Sequence, residues 1–146
     1  MKRLKLSILP FLLLSLIGCA GTKAAYQQAQ SPDEYAYVMA EHYSSLVRQA
    51  ADLKERPSTP ASAIAAMQRA ELAARPLVAP LRPLRDAYIA GRSAQSELEL
   101  QRAIDAAVLA IADLVRQVQM ARGGGTSSLL DLQIIVEAHL IERRAP

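Results

Sequence analysis

Side chains able to do chemistry are few in this sequence and thinly spread. One cysteine, Cys19, and two histidines, His42 and His139, are its only soft ligands and neutral-pH bases. Neither histidine has a second histidine or a carboxylate four residues on, although His139 has Glu142 at i+3 and Glu137 at i−2. A protein zinc site needs three or four converging ligands, so no metal or other cofactor is expected. No G-x-S-x-G elbow occurs, so the sharp turn that exposes a nucleophilic serine is missing. The run GGGTSS, residues 123–128, lacks the lysine of a phosphate-binding loop and follows no strand pattern; it reads as a hinge and a helix cap. Glu97 and Glu99 are two apart and diverge on a helix, while Glu34 and Glu41 stand one heptad apart, about 10 Å by helical rise. No acid–base partner brackets either pair. PLRP, residues 80–83, has the P-x-x-P shape that binds aromatic grooves when extended, but here it falls inside a helical pattern. These residues predict no catalytic site. The alternative is a small hydrolase with an unrecognised one.

The context of Cys19 is more informative. Lys2, Arg3 and Lys5 form a basic start, Leu6 to Ile17 an apolar run, and Gly18 the small residue a peptidase needs beside its cut. This is the layout of a secretory signal. The run is shorter than the roughly 20 residues of a membrane-spanning helix, and Pro10 interrupts it. Leu16-Ile17-Gly18-Cys19 resembles the lipobox of bacterial lipoproteins. The resemblance implies cleavage between Gly18 and Cys19, a diacylglyceryl thioether on the Cys19 sulfur, and an acyl chain (palmitate in type) on its new amine. Two or three chains hold a protein firmly where one binds marginally. Ala20, rather than Asp, follows the cysteine; in the lipoprotein pattern this implies the outer membrane, facing the periplasm. The helical remainder is similar to small uncharacterised helical lipoproteins of proteobacteria and prophages.

Cleavage would change the charge. The chain has 17 Lys+Arg against 14 Asp+Glu, net +3. Removing Lys2, Arg3 and Lys5, and no acidic residue, leaves fourteen of each. A neutral mature domain lacks the basic surplus that nucleic-acid binding requires, so no nucleic-acid partner is expected. A lone cysteine also forms no intramolecular disulfide. The only Phe, Phe11, lies in the signal and there is no Trp. The core must be built from Ala, Leu, Ile, Val and Met, and the large platforms that stack sugars are absent.

These residues need elements to hold them. Residues 19–30 are polar and aperiodic and read as the lipidated cysteine and a tether. The helical domain is expected over 31–146. Ser31-Pro32-Asp33-Glu34 opens a helix over about 32–56, with Tyr35, Met39, His42, Leu46, Ala50 and Leu53 on one face and Pro57 ending it. Thr59-Pro60 opens a second, about 60–90, with Met67, Ala70, Ala74, Leu77, Leu81, Leu84 and Tyr88 at heptad spacing. Pro76, Pro80 and Pro83 interrupt it, and a kink is expected over a break. Gly91 stops it and Ser93 caps a third helix, about 94–122, carrying Leu100, Ile104, Val108, Ile111, Val115 and Val118. Beyond the triple glycine, a fourth helix is expected over about 128–144; it either closes the bundle or docks on a partner or the membrane.

Four helices with short joints and no alternating strand pattern predict an all-α antiparallel bundle. Arginines of the second helix would face carboxylates of the third. The expected protein is an envelope lipoprotein, held to the membrane by lipid on Cys19 and acting on an envelope protein partner without catalysis.

Overall fold

The computed structural model describes Thr22 and residues 24–123. The expected cleavage and lipidation at Gly18 and Cys19, His139 and the expected helix 128–144 lie outside the described residues. Within them the chain is an all-α bundle of four helices: α1 (Pro32–Lys54), α2 (Ala61–Val78), α3 (Leu81–Gly91) and α4 (Ala94–Ala121). A helical turn over residues 24–28 precedes α1.

α1 begins where Pro32 fits the first turn and Asp33 and Glu34 meet the positive helix end. Ser31 has the extended backbone of an N-cap, but its hydroxyl makes no capping bond. Glu34 acts instead: its Oε2 accepts from the Gln30 amide at 2.8 Å. Tyr35, Met39, Leu46, Ala50 and Leu53 face the core together with Ala36. Ser93 does cap α4, accepting from the Ser96 amide at 3.1 Å.

The expected single helix over 60–90 is two. α2 ends at Val78, with a last rung from the Ala79 amide to the Arg75 carbonyl at 3.0 Å, and α3 starts at Leu81. Proline nitrogens cannot donate, so Pro76, Pro80 and Pro83 remove three rungs of one ladder. Ala79 (φ −52°, ψ −38°) and Pro80 (φ −72°, ψ −18°) nevertheless keep right-handed helical angles. The joint is therefore a break in bonding along a path that stays helical. The apolar seam also changes across it. Val78, rather than Leu77, is buried, and Leu77 is 37% exposed. Met67, Ala74, Leu81 and Tyr88 keep the heptad step and stay buried, so the change falls on the flanking position beside this row.

α3 ends one residue later than Gly91 suggests. The left-handed residue is Arg92 (φ 43°), whose amide donates to the Tyr88 carbonyl at 2.7 Å. At the end of α4 a glycine takes that role: Gly123 has φ 75° and donates to the Met120 carbonyl.

Cross-helix contacts set the topology. Tyr37, early in α1, stacks under Arg85 of α3. Lys54, at the end of α1, reaches Glu71 of α2. α1 thus runs antiparallel to the α2–α3 path, and α4 packs on all three. Met67, Leu81, Leu100, Ile104, Ile111 and Leu114 are fully buried between them; each such side chain contributes about 1.5–3 kcal/mol. Ala50, Ala74 and Ala107 are also fully buried, and their small side chains let helix axes approach.

Candidate functional site

The segment before α1 is not a free tether throughout. Tyr26 is 3% exposed and belongs to the hydrophobic core. Its ring lies 5.3 Å from that of Tyr35, centroid to centroid, and 5.7 Å from the edge-on imidazole of His42. Its hydroxyl sits 3.2 Å from His42 Nδ1. Burial, with Tyr35 adding to it, pushes the Tyr26 phenol far up, so the hydroxyl keeps its proton and can donate to that nitrogen. His42 is thus a half-buried member of α1 tied to the incoming chain. A tyrosine in an otherwise polar stretch was the available signal for this docking.

The docked segment builds one wall of a cleft along α1. Ala25, Gln28 and Ala29 face Asp33, Glu34, Tyr37 and Val38, with Arg85 of α3 closing the end, around about 440 Å³. A second open hollow of about 300 Å³ continues it past Thr22, Glu41, Ser45 and Arg48. Glu34 and Glu41, unpaired in the sequence pattern, thus line adjoining parts of one surface. Arg85 stacks 5.1 Å above the Tyr37 ring and pairs loosely with Asp86 at 3.9 Å. Two polar atoms beneath this surface, Asp33 Oδ1 and Arg85 Nε, are buried with no hydrogen-bond partner. The cleft holds charges of both signs, and His42 and Ser45 also line its second part.

The buried carboxylate among the described residues is elsewhere. Glu71 lies on the core face of α2, 9% exposed. Its Oε1 accepts from Arg75 Nη2 at 2.8 Å and its Oε2 from Lys54 Nζ at 3.2 Å. Burial alone would raise this carboxyl; hydrogen bonds from Arg75 and Lys54, with their charges, outweigh it and hold Glu71 below the usual carboxylate range. Arg75 also bonds the Tyr43 side chain. This is a clasp between α1 and α2, and both carboxylate oxygens are occupied. The place of Glu71 one residue after the core position Ala70 was the missed sign.

The remaining candidates disperse. Glu97 and Glu99 stand on the exposed first turns of α4, where Glu99 accepts from Gln95 at 2.6 Å. Pro80 has helical angles and Leu81 is fully buried, so PLRP does not present an extended polyproline surface. Arg75, Arg85 and Arg116 pair within their own helices, with Glu71, Asp86 and Asp113. Lys54 and Glu71 pair across helices, between α1 and α2. No group of three or more potential metal ligands forms among the described residues. No described helix is long and apolar enough to cross a membrane. No protein-family model, curated protein or solved structure matches the chain.

Proposed function

We propose that this protein is an envelope lipoprotein. In this reading it is cut between Gly18 and Cys19 and anchored by lipid on Cys19, in the outer membrane facing the periplasm. Its helical domain serves as a non-enzymatic interaction or accessory module for an envelope protein. The observation that carries the reading is Leu16-Ile17-Gly18-Cys19 at the end of a basic, then apolar leader, with no other cysteine in the chain. An all-α bundle whose surface is a recognition cleft fits a binding role. So does the solvent side of α4, where Leu98, Leu109 and Met120 are 44%, 70% and 54% exposed. Their spacing of eleven residues is close to three helical turns, which stacks them in one stripe.

Metabolic labelling with a fatty acid, followed by mass spectrometry of the N-terminal peptide, tests the anchor. The wild type should carry acyl chains on Cys19, and Cys19→Ser should carry none and appear as uncut precursor or soluble product. An unacylated wild type, or an acylated Cys19→Ser, would refute the lipoprotein reading. A pull-down from solubilised envelope tests the binding role: a stoichiometric partner supports it, and none counts against it.

A further inference from the structure

We propose that the cleft lined by Thr22, Ala25, Gln28 and Ala29 lies against the bilayer and receives the zwitterionic headgroups of its phospholipids, each an ammonium and a phosphate on a short spacer. The inference rests on acylation of Cys19. Its argument starts from chain length. Thr22 lines the cleft with Glu41, Ser45 and Arg48. Three peptide units separate Thr22 from Cys19, and such a chain spans at most roughly 11 Å. The headgroup layer on each side of a bilayer is about 5–8 Å thick. A lipid-bearing Cys19 at the edge of the hydrocarbon therefore holds the Thr22 end of the cleft at or just above the headgroups. Tyr26 sets an outer limit: while its ring stays in the core beside Tyr35 and its hydroxyl on His42, residues 27–30 cannot be paid out as tether, and the seven peptide units back to Cys19 span at most roughly 25 Å. The segment also runs back along α1, from Ser45 and Arg48 near Thr22 to Asp33 and Tyr37 near Ala29. The tether therefore keeps the cleft on the part of the bundle nearest the membrane, where its charges would turn that face toward the headgroups.

The lining suits this occupant. Asp33, Glu34 and Glu41 supply negative charge, and Arg48 and Arg85 positive charge. A purely anionic or purely cationic ligand would meet like charge somewhere along it. A zwitterion can put its ammonium against the carboxylates and its phosphate against a guanidinium. Tyr37, 51% exposed, offers the amphipathic ring favoured at headgroup depth. The two orphan atoms match in polarity: Asp33 Oδ1 is an acceptor without a donor, Arg85 Nε a donor without an acceptor. Both lie just under the surface, and turning either side chain outward would let an ammonium or a phosphate satisfy it.

The test uses the acylated full chain in vesicles of phosphatidylethanolamine and phosphatidylcholine. Cys19 is the only native cysteine and its sulfur is taken by lipid, so Ser45→Cys and Leu109→Cys each add one labelable thiol. A fluorophore at each site is quenched by lipids carrying a nitroxide on the headgroup. Leu109 stands on the outer face of α4, which contributes nothing to the cleft. The Ser45 label should be quenched at least about twofold more, since at least one helix diameter of roughly 10 Å separates the two depths. Asp33→Ala and Arg85→Ala should each reduce quenching at Ser45 and leave acylation intact. Equal quenching at the two sites in an acylated protein overturns the inference and leaves the anchor standing. So does a Ser45 label that pure lipid leaves unquenched but a co-purified envelope protein shields, which would assign the cleft to a polypeptide. If mass spectrometry finds no lipid on Cys19, both readings fall together.

Discussion

Replacing Tyr26 with alanine asks whether the chain before α1 is leash or fold. The ring is 3% exposed, packs on Tyr35 at 5.3 Å and bonds His42 through its hydroxyl. Truncating a buried aromatic to alanine costs about 3–5 kcal/mol when the surroundings stay in place. Here they need not. Without the ring the short segment can leave α1 and recover about 1–2 kcal/mol of backbone entropy per freed residue. Relaxation therefore puts the expected loss at or below the low end of that range, about 2–3 kcal/mol. Urea unfolding followed by helical circular dichroism, in a Cys19→Ser background that removes the anchor, gives the value. For a domain of about one hundred residues each kcal/mol lowers Tm by roughly 4–8 °C, so a fall of about 10–20 °C is expected. Tyr26→Phe keeps the ring and should lose only about 0.5–1.5 kcal/mol. This relaxation has its own signature: deleting residues 20–30 should destabilise no more than Tyr26→Ala does. If Tyr26→Ala unfolds within a few tenths of a kcal/mol of the parent, the segment is a leash and the docking argument is wrong.

Three other perturbations probe the fold. The lowered Glu71 carboxyl stabilises the native state above the ordinary glutamate value of 4.5, and that contribution is lost as pH falls through the native value. Glu71→Gln should therefore flatten the acid limb of a stability–pH profile measured from pH 7 to 3; an unchanged limb would show that the clasp does not govern it. Gly91 is the last helical residue of α3, and a Cβ there meets nothing within 4 Å, so Gly91→Ala should stabilise by about 0.5–1 kcal/mol in denaturant titration. Leu109→Glu, on the outer face of α4, should shift stability by less than about 0.5 kcal/mol yet reduce capture of an envelope partner, if that stripe is the binding surface; undiminished capture would place the partner elsewhere.

What could be read from the sequence follows from where each feature's energy comes from. The core faces of α1 and α4 were legible because Met39, Leu46, Ala50 and Leu53, or Leu100, Ile104, Ile111 and Val115, recur at a spacing that only a helix puts on one side. The Ser93 cap was legible for a similar reason, since its hydrogen bond depends on residues three apart. The features that were missed depend on distant partners. Nothing within a few residues of Tyr26 shows that His42 and Tyr35 will receive it. Glu71 looks solvated until Lys54, seventeen residues earlier, and Arg75 are seen to hold it. The proline-rich joint was ambiguous because local sequence counts lost hydrogen bonds, while the tertiary contacts of Val78 and Leu81 keep the helical path across them.

The same distinction separates the two parts of the functional argument. The anchor is a local signal, written in four consecutive residues that a peptidase and a transferase would read without any fold. The cleft is not local: it needs residues 22–29, α1 and Arg85 of α3 together. Tyr26 joins them. Had residues 19–30 been free, a chain of this length would let the domain stand up to roughly 40 Å from the membrane and face any direction. With Tyr26 docked, at most seven peptide units, roughly 25 Å, separate Cys19 from the bundle, and the face of α1 that receives Tyr26 is the one held nearest the membrane. Restoring the leash by Tyr26→Ala should therefore reduce the difference in lipid quenching between labels at Ser45 and Leu109, with acylation unchanged. A difference that survives undiminished would mean that the docking of Tyr26 plays no part in holding the cleft to the membrane.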